Sequence, residues 1–243
     1  MNERRLSVTN ALIIINAVVF FVGLTVQKEA LLSIPYPQAP KTSIFEIICA
    51  YSWFTCFLEG ELWRIITYQF VHANFGHILF NMWALYFFGP PVESAMGARR
   101  FLVFYLACGV AGALFSSLLA GLNLYSSLPD IPEAQMICNQ LAAYAGYAGL
   151  VECWEMIPLI GASASIYGVL VACAFMYPDV QISLLFPPIT LRLRTFAICI
   201  IGIAAATILF NFNNAGGEAG HLGGIIMGAI IMLAWKYRLM NRF

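Results

Sequence analysis

Six stretches of this chain are mostly apolar over the length of a long helix: roughly residues 10–26, 67–89, 101–121, 161–177, 195–211 and 219–235. A helix that is hydrophobic all round is either buried in a large core or spans a membrane. About 20 mostly apolar residues cross a hydrocarbon core about 30 Å thick. In lipid every backbone polar group must find its partner inside the span. The pattern therefore predicts an all-α, polytopic membrane protein with six transmembrane helices. Residues 44–58 are a seventh candidate. They are short for a crossing and carry Glu46, while Tyr51, Trp53 and Phe54 suit the headgroup region, so the segment is read as lying in the outer interface. Met1–Asn10 is polar and leads into the first span. Gln27-Lys28-Glu29 follows that span in place of a small-residue cleavage site, so it is read as a retained helix and not a signal peptide.

Composition agrees with that solvent. Apolar types make up 61% of the 243 residues and charged types 10%, against about a quarter charged in soluble domains. The formal net charge is zero, which leaves no basic field for nucleic acid. The placement of the charges sets an orientation. With six spans both termini share one side, and that side collects Arg4, Arg5, Arg99, Arg100, Arg192, Arg194, Lys236, Arg238 and Arg242, nine of the twelve basic residues. The positive-inside bias puts both termini in the cytoplasm. A compact chain without a targeting extension suggests the bacterial inner membrane. No repeat divides the sequence, which reads as a single domain over 1–243 with an interfacial loop at about 27–66 and an external insertion at about 122–160. The insertion lacks Lys and Arg. Its apolar middle, Leu141–Val151, is too short to cross and fits one interfacial helix. The seven cysteines show no metal-ligand spacing, and Cys138 and Cys153 are candidates for a disulfide or for two free thiols.

Polar groups inside spans are expensive, so each is a candidate functional site. His77 and His221 lie well inside these spans, and His72 lies near an entrance. No Asp or Glu lies deep in any of them. That argues against carboxylate-coupled transport, leaves no third member for a Ser-His-Asp triad, and leaves the orientation of His221 to packing. A solute transporter would also be favoured by two related halves, and none are seen. His77 and Asn81 are four apart and share a helix face. Aimed at one point they could donate to an oxyanion, or they could hold two helices together. Ser163, in Gly161-Ala-Ser-Ala-Ser-Ile-Tyr167-Gly168, stands at a helix entrance and could be an N-cap, a packing residue or a nucleophile. Tyr167 is one turn below it, and Ser165 points elsewhere. Gly224 and Gly228 share a face with His221, and small residues at that spacing admit a neighbouring helix. If that neighbour carries Ser163, imidazole and hydroxyl come within reach.

Glu61-Leu-Trp-Arg64, His72, His77-x-x-x-Asn81, Gly161-x-Ser163 and His221 with Gly224-x-x-x-Gly228, in that order, resemble the rhomboid intramembrane proteases. Val92-Glu93 and Gly97 add to the likeness, which covers roughly 60–236. The departures are Ala164, where the family usually has glycine, and the long 122–160 loop. The resemblance implies a rhomboid-like six-helix bundle, with Ser163 at the bottom of a water-filled cavity below the membrane surface. It implies hydrolysis of a peptide bond in or near a substrate's transmembrane segment, by a Ser163–His221 dyad. His77, Asn81 and the Ser163 backbone N–H would form the oxyanion hole. Tyr167 would buttress His221, and Gly161 would let the loop approach the reacting carbonyl. The partners would be transmembrane protein substrates and the bilayer, with no metal or organic cofactor. The alternative is a non-proteolytic relative of the same fold that binds transmembrane clients.

Overall fold

Ser7 starts the first helix, α1 (Val8–Thr25), by accepting the Asn10 N–H at 3.2 Å, the usual work of a short hydroxyl at a helix start. Strand β1 (Gln27–Glu29) follows and pairs antiparallel with β2 (Lys41–Ser43). Next come α2 (Ile44–Cys49), a π-helical turn (Phe54–Leu58), α3 (Arg64–Thr67) and a 3-10 turn (Tyr68–Phe70). The remainder is α4 (Phe75–Met96), α5 (Ala98–Gly121), α6 (Cys153–Met156) and α7 (Ser163–Met176), then a hairpin of β3 (Gln181–Ser183) and β4 (Thr190–Arg192), then α8 (Leu193–Leu209) and α9 (Ala215–Met240). This computed structural model describes residues 6–29, 41–125, 143, 153–156, 158–183, 188–212 and 214–240. The expected interfacial helix at 141–151 and a Cys138–Cys153 pairing fall outside what it describes.

All six apolar stretches are helices, with shifted ends. α4 begins at Phe75, not 67, because Asn74 caps it by accepting the His77 N–H at 2.9 Å. It continues through Pro90 and Pro91, and Gly97, at φ +82°, ends it and turns the chain into α5. α9 begins at Ala215, four residues before the expected start. The Ala215-Gly-Gly run looks like a turn, yet it is the first turn of the helix, and the Gly216 carbonyl accepts the Ser116 hydroxyl at 3.0 Å. Length and apolarity alone support three crossings: α1, α5 and residues 215–237 of α9. α7 and α8 are shorter apolar helices, and α4 carries His77, Asn81, Glu93 and two prolines. The expected count of six is therefore not set by the helices themselves.

Contacts between glycines fix how the helices run. Gly112 of α5 lies against Ala164 of α7 and Gly220 of α9, and Gly168 lies against Cys108 of α5. Gly224 and Gly228 of α9 lie against Ala164 and Gly168 of α7. These pairings make α7 and α9 parallel to each other and antiparallel to α5. Backbones come this close only where side chains are absent. Along α4, Glu93 receives the Val8 and Thr9 N–H groups and the Thr9 hydroxyl at 2.6–2.8 Å, tying the start of α1 to the end of α4. The buried core runs through Leu85, Phe101, Tyr105, Cys108, Val169 and Leu193. Outside it, Ile14, Phe21, Phe80, Trp83, Phe87, Ile198 and Ile230 are exposed. An apolar exterior of this extent is at home in lipid, and the chain is an integral membrane protein.

The 44–70 segment is no seventh span. Its helical pieces are short and broken, and Arg64 holds them. Its guanidinium pairs with Glu61 and donates to the carbonyls of Ile47 and Ala50 at 2.9 Å each. Tyr51 forms a β-bridge with Leu159 and meets the Ser117 hydroxyl at 3.0 Å. Burial pushes its phenol up to about 12, so it stays neutral at any working pH.

Candidate active site

Ser163 is the first residue of α7, and Ala162 occupies the capping position without a side-chain bond. The hydroxyl is thus free of the capping duty it could have had. It lies 2.8 Å from Nε2 of His221. Ser165, two residues on, is fully buried and donates to Gln69 Oε1 at 2.8 Å, away from the histidine. The reach between Ser163 and His221 follows from the glycine contacts below them. A Cβ on Gly224 would overlap the Ala164 carbonyl, and one on Gly228 would stand 2.9 Å from Gly168 Cα. Tyr167, one turn along α7, stacks on the imidazole with centroids 4.1 Å apart and planes 12° apart.

One expectation is overturned. His221 does not lack a carboxylate partner: Glu218 Oε2 lies 2.9 Å from its Nδ1. The His221 and Glu218 side chains are 13% and 17% exposed. The apolar pattern hides the pair, because a helix that begins at 219 leaves Glu218 in a loop. Once α9 begins at Ala215, residues 218 and 221 stand three apart on one face, where side chains meet. A carboxylate only accepts, so Nδ1 carries the proton. In the neutral ring Nε2 is then the acceptor that faces the serine hydroxyl.

His77 and Asn81 rise from the start of α4. His77 Nδ1 accepts the Ala73 N–H at 3.4 Å, which leaves the proton of the neutral ring on Nε2. His72 is buried and packs edge-on to His77, centroids 4.9 Å apart. Gly161 has φ +117°, and a Cβ there would stand 2.7 Å from His77 Nε2 and 3.8 Å from Ser163 Oγ. Only glycine leaves that space open, and its own N–H is spent on the Tyr68 carbonyl at 2.9 Å. Ser163, Tyr167, His221, His77 and Asn81 line one cavity of about 550 Å³ between α4, α7, α8 and α9. Phe88 and Phe196 face each other across it, centroids 6.5 Å apart. A larger groove of about 790 Å³ lies at the other end of α4 and α9, lined by Arg99, Arg100 and Trp235, and holds no reacting pair. Among the described residues no group of His, Cys, Asp and Glu is arranged to hold a metal ion.

The sequence profile described as the rhomboid domain matches residues 59–238. The chain belongs to the rhomboid family. The rhomboid protease AarA of Providencia stuartii is 27% identical over 191 residues, covering 76% of this chain and 61% of that protein. RHOMBOID-like protein 12, mitochondrial, of Arabidopsis thaliana is 30% identical over 188 residues, 77% of this chain and 49% of that protein. Inactive RHOMBOID-like protein 8 of the same plant is 33% identical over 79 residues, 32% of this chain and 22% of that protein. The chain spans less than two thirds of the length of each of these relatives. Where this rhomboid has alanine in place of the expected glycine, at Ala164, the methyl group points at Gly112, which has no side chain to meet it.

Proposed function

We propose that this rhomboid is an intramembrane serine endopeptidase that hydrolyses peptide bonds in or near the transmembrane segments of other membrane proteins. The observation that carries the reading is the 2.8 Å contact between Ser163 Oγ and His221 Nε2 on a cavity wall within an apolar molecule. Ser163 attacks the scissile carbonyl as His221 Nε2 takes its proton. The same nitrogen returns that proton to the leaving amine, and water then repeats the sequence on the acyl-enzyme. His77 Nε2–H, the Asn81 amide and the Ser163 backbone N–H are the donors to the oxyanion. Gly161 keeps the space between His77 and Ser163 clear, and Tyr167 holds the imidazole by stacking. α7 has 14 residues, about 21 Å of helix against about 30 Å of hydrocarbon. With Tyr177 at one interface, its first residue starts inside the bilayer, where water must enter by the cavity.

The test is cleavage of a transmembrane substrate by the purified protein in liposomes, with products identified by mass spectrometry. Ser163→Ala and His221→Ala should each abolish cleavage, and the double variant should be no worse, because the two act as a unit. Full activity in Ser163→Ala, or loss confined to Ser165→Ala, refutes this choice of nucleophile. Capture of the substrate without cleavage favours the client-binding reading instead. The bacterial inner membrane as its location is part of the same proposal.

A further inference from the structure

We propose that Glu218 is a positioning residue for His221: its carboxylate accepts the Nδ1 proton, fixes the ring with Nε2 bare toward Ser163, and stabilises the imidazolium formed when the serine gives up its proton. The inference rests on the protease reading and goes one residue beyond a serine–histidine pair.

Glu218, His221 and Ser163 form one chain of contacts, 2.9 Å from carboxylate to Nδ1 and 2.8 Å from Nε2 to Oγ. A carboxylate in the first turn of α9 also suits the positive end of the helix dipole. That preference concerns charge near the helix start and does not select which atom the oxygen meets. Here the oxygen meets the one nitrogen whose protonation decides whether His221 can act as a base. Among the described residues the only ion-pair partner of Glu218 is His221. A carboxylate that is mostly buried and has no other cation is costly, and the cost is offset when an imidazolium forms 2.9 Å away. The two orienting contacts are complementary. Tyr167 sets the plane of the ring by stacking, but a stacked ring can still flip or shift its proton. The carboxylate removes both freedoms. During the reaction it keeps its negative charge: the proton on Nδ1 stays there, and the one on Ser163 moves to Nε2.

The expected losses are graded. In an Asp-His-Ser triad, exchanging the aspartate for its amide costs about 10⁴-fold in kcat, because the imidazole is left in the wrong tautomer. Because Tyr167 still holds the ring here, Glu218→Ala should lower kcat by a smaller factor, on the order of 10²-fold, with KM nearly unchanged. Glu218→Gln, whose amide N–H can face Nδ1 and hold the ring in the wrong tautomer, should lose at least as much as Glu218→Ala. A second readout needs no substrate. The chain has three histidines, so ¹⁵N-histidine NMR in detergent micelles, assigned with His72→Ala, His77→Ala and His221→Ala, should show neutral His221 as the Nδ1–H form. Glu218→Ala should convert it to a mixture of tautomers. Glu218→Gln is near isosteric, so it tests the idea even if the alanine variant does not fold. A folded Glu218→Ala enzyme with kcat within twofold of native and an unchanged tautomer overturns the proposal. So does a loss that appears only in KM, which would make Glu218 a substrate contact. A native protein inert toward both substrate and fluorophosphonate overturns the protease reading and the positioning role of Glu218 with it. An active native enzyme matched by Glu218→Ala overturns the Glu218 role alone.

Discussion

Asn81 lies one turn below His77 on α4, buried, on the wall of the cavity that holds Ser163. An amide in that place can serve either the oxyanion or the packing of α4, and kinetics separates the two. A donor aimed at charge that exists only in the transition state leaves substrate binding alone. Asn81→Ala should therefore lower kcat on the order of 10²-fold with little change in KM, measured in liposomes against a quenched transmembrane substrate. If KM rises and kcat survives, Asn81 is a packing residue. That Ser163, His221 and Tyr167 come together was legible only through the family resemblance, because each residue taken alone also has an ordinary capping or packing role. Glu218 was not. Its role depends on where α9 begins, and Gly216-Gly217 disguises a helix start as a turn.

At the scale of elements, the Ser163–His221 contact depends on how closely α7 and α9 approach. The His221 face of α9 announced this contact through Gly224 and Gly228. The facing surfaces were silent: Gly112 and Gly168 became meaningful only once α5 and α7 were seen to bring them to the same place. A Cβ on Gly228 would stand 2.9 Å from Gly168 Cα and carbonyl oxygen, both backbone atoms that cannot rotate away. Gly228→Leu should push the helices apart. Overpacking a tight contact costs about 1–3 kcal/mol, and a shift near 1 Å can cost about 10²-fold in rate. Thermal unfolding in detergent should register the first and turnover the second. Gly202 of α8 has nothing within 4 Å of its missing side chain, so Gly202→Leu should leave both close to native. Equal behaviour of the two variants would detach the glycine contact from the serine–histidine geometry.

For the whole molecule, the arrangement of helices sorts its charges. The bonds from Glu93 to Val8 and Thr9 place the start of α1 beside the end of α4, at the Arg99–Arg100 end. α9 starts near Ser163 and runs antiparallel to α5, so Lys236 returns to that same end. Ser163, His221 and the described parts of the insertion lie at the other end, with Arg64 there already paired to Glu61. Among the described residues, Arg99, Arg100 and Lys236 thus gather at the end away from the cavity. The positive-inside bias predicts that cluster in the cytoplasm and the mouth of the cavity on the external side. Reporter fusions at either terminus should both read as cytoplasmic, and one inserted within 122–140 as external. Termini on opposite sides would require an odd number of crossings. The 44–58 segment would be the candidate, yet a six-residue helix, a π-helical turn and an arginine bound to its carbonyls make a poor span. Such a result would therefore count against the packing of α1 on α4 as well. Thr9→Val should then leave stability untouched, whereas the Glu93 contact requires that it lower the unfolding temperature.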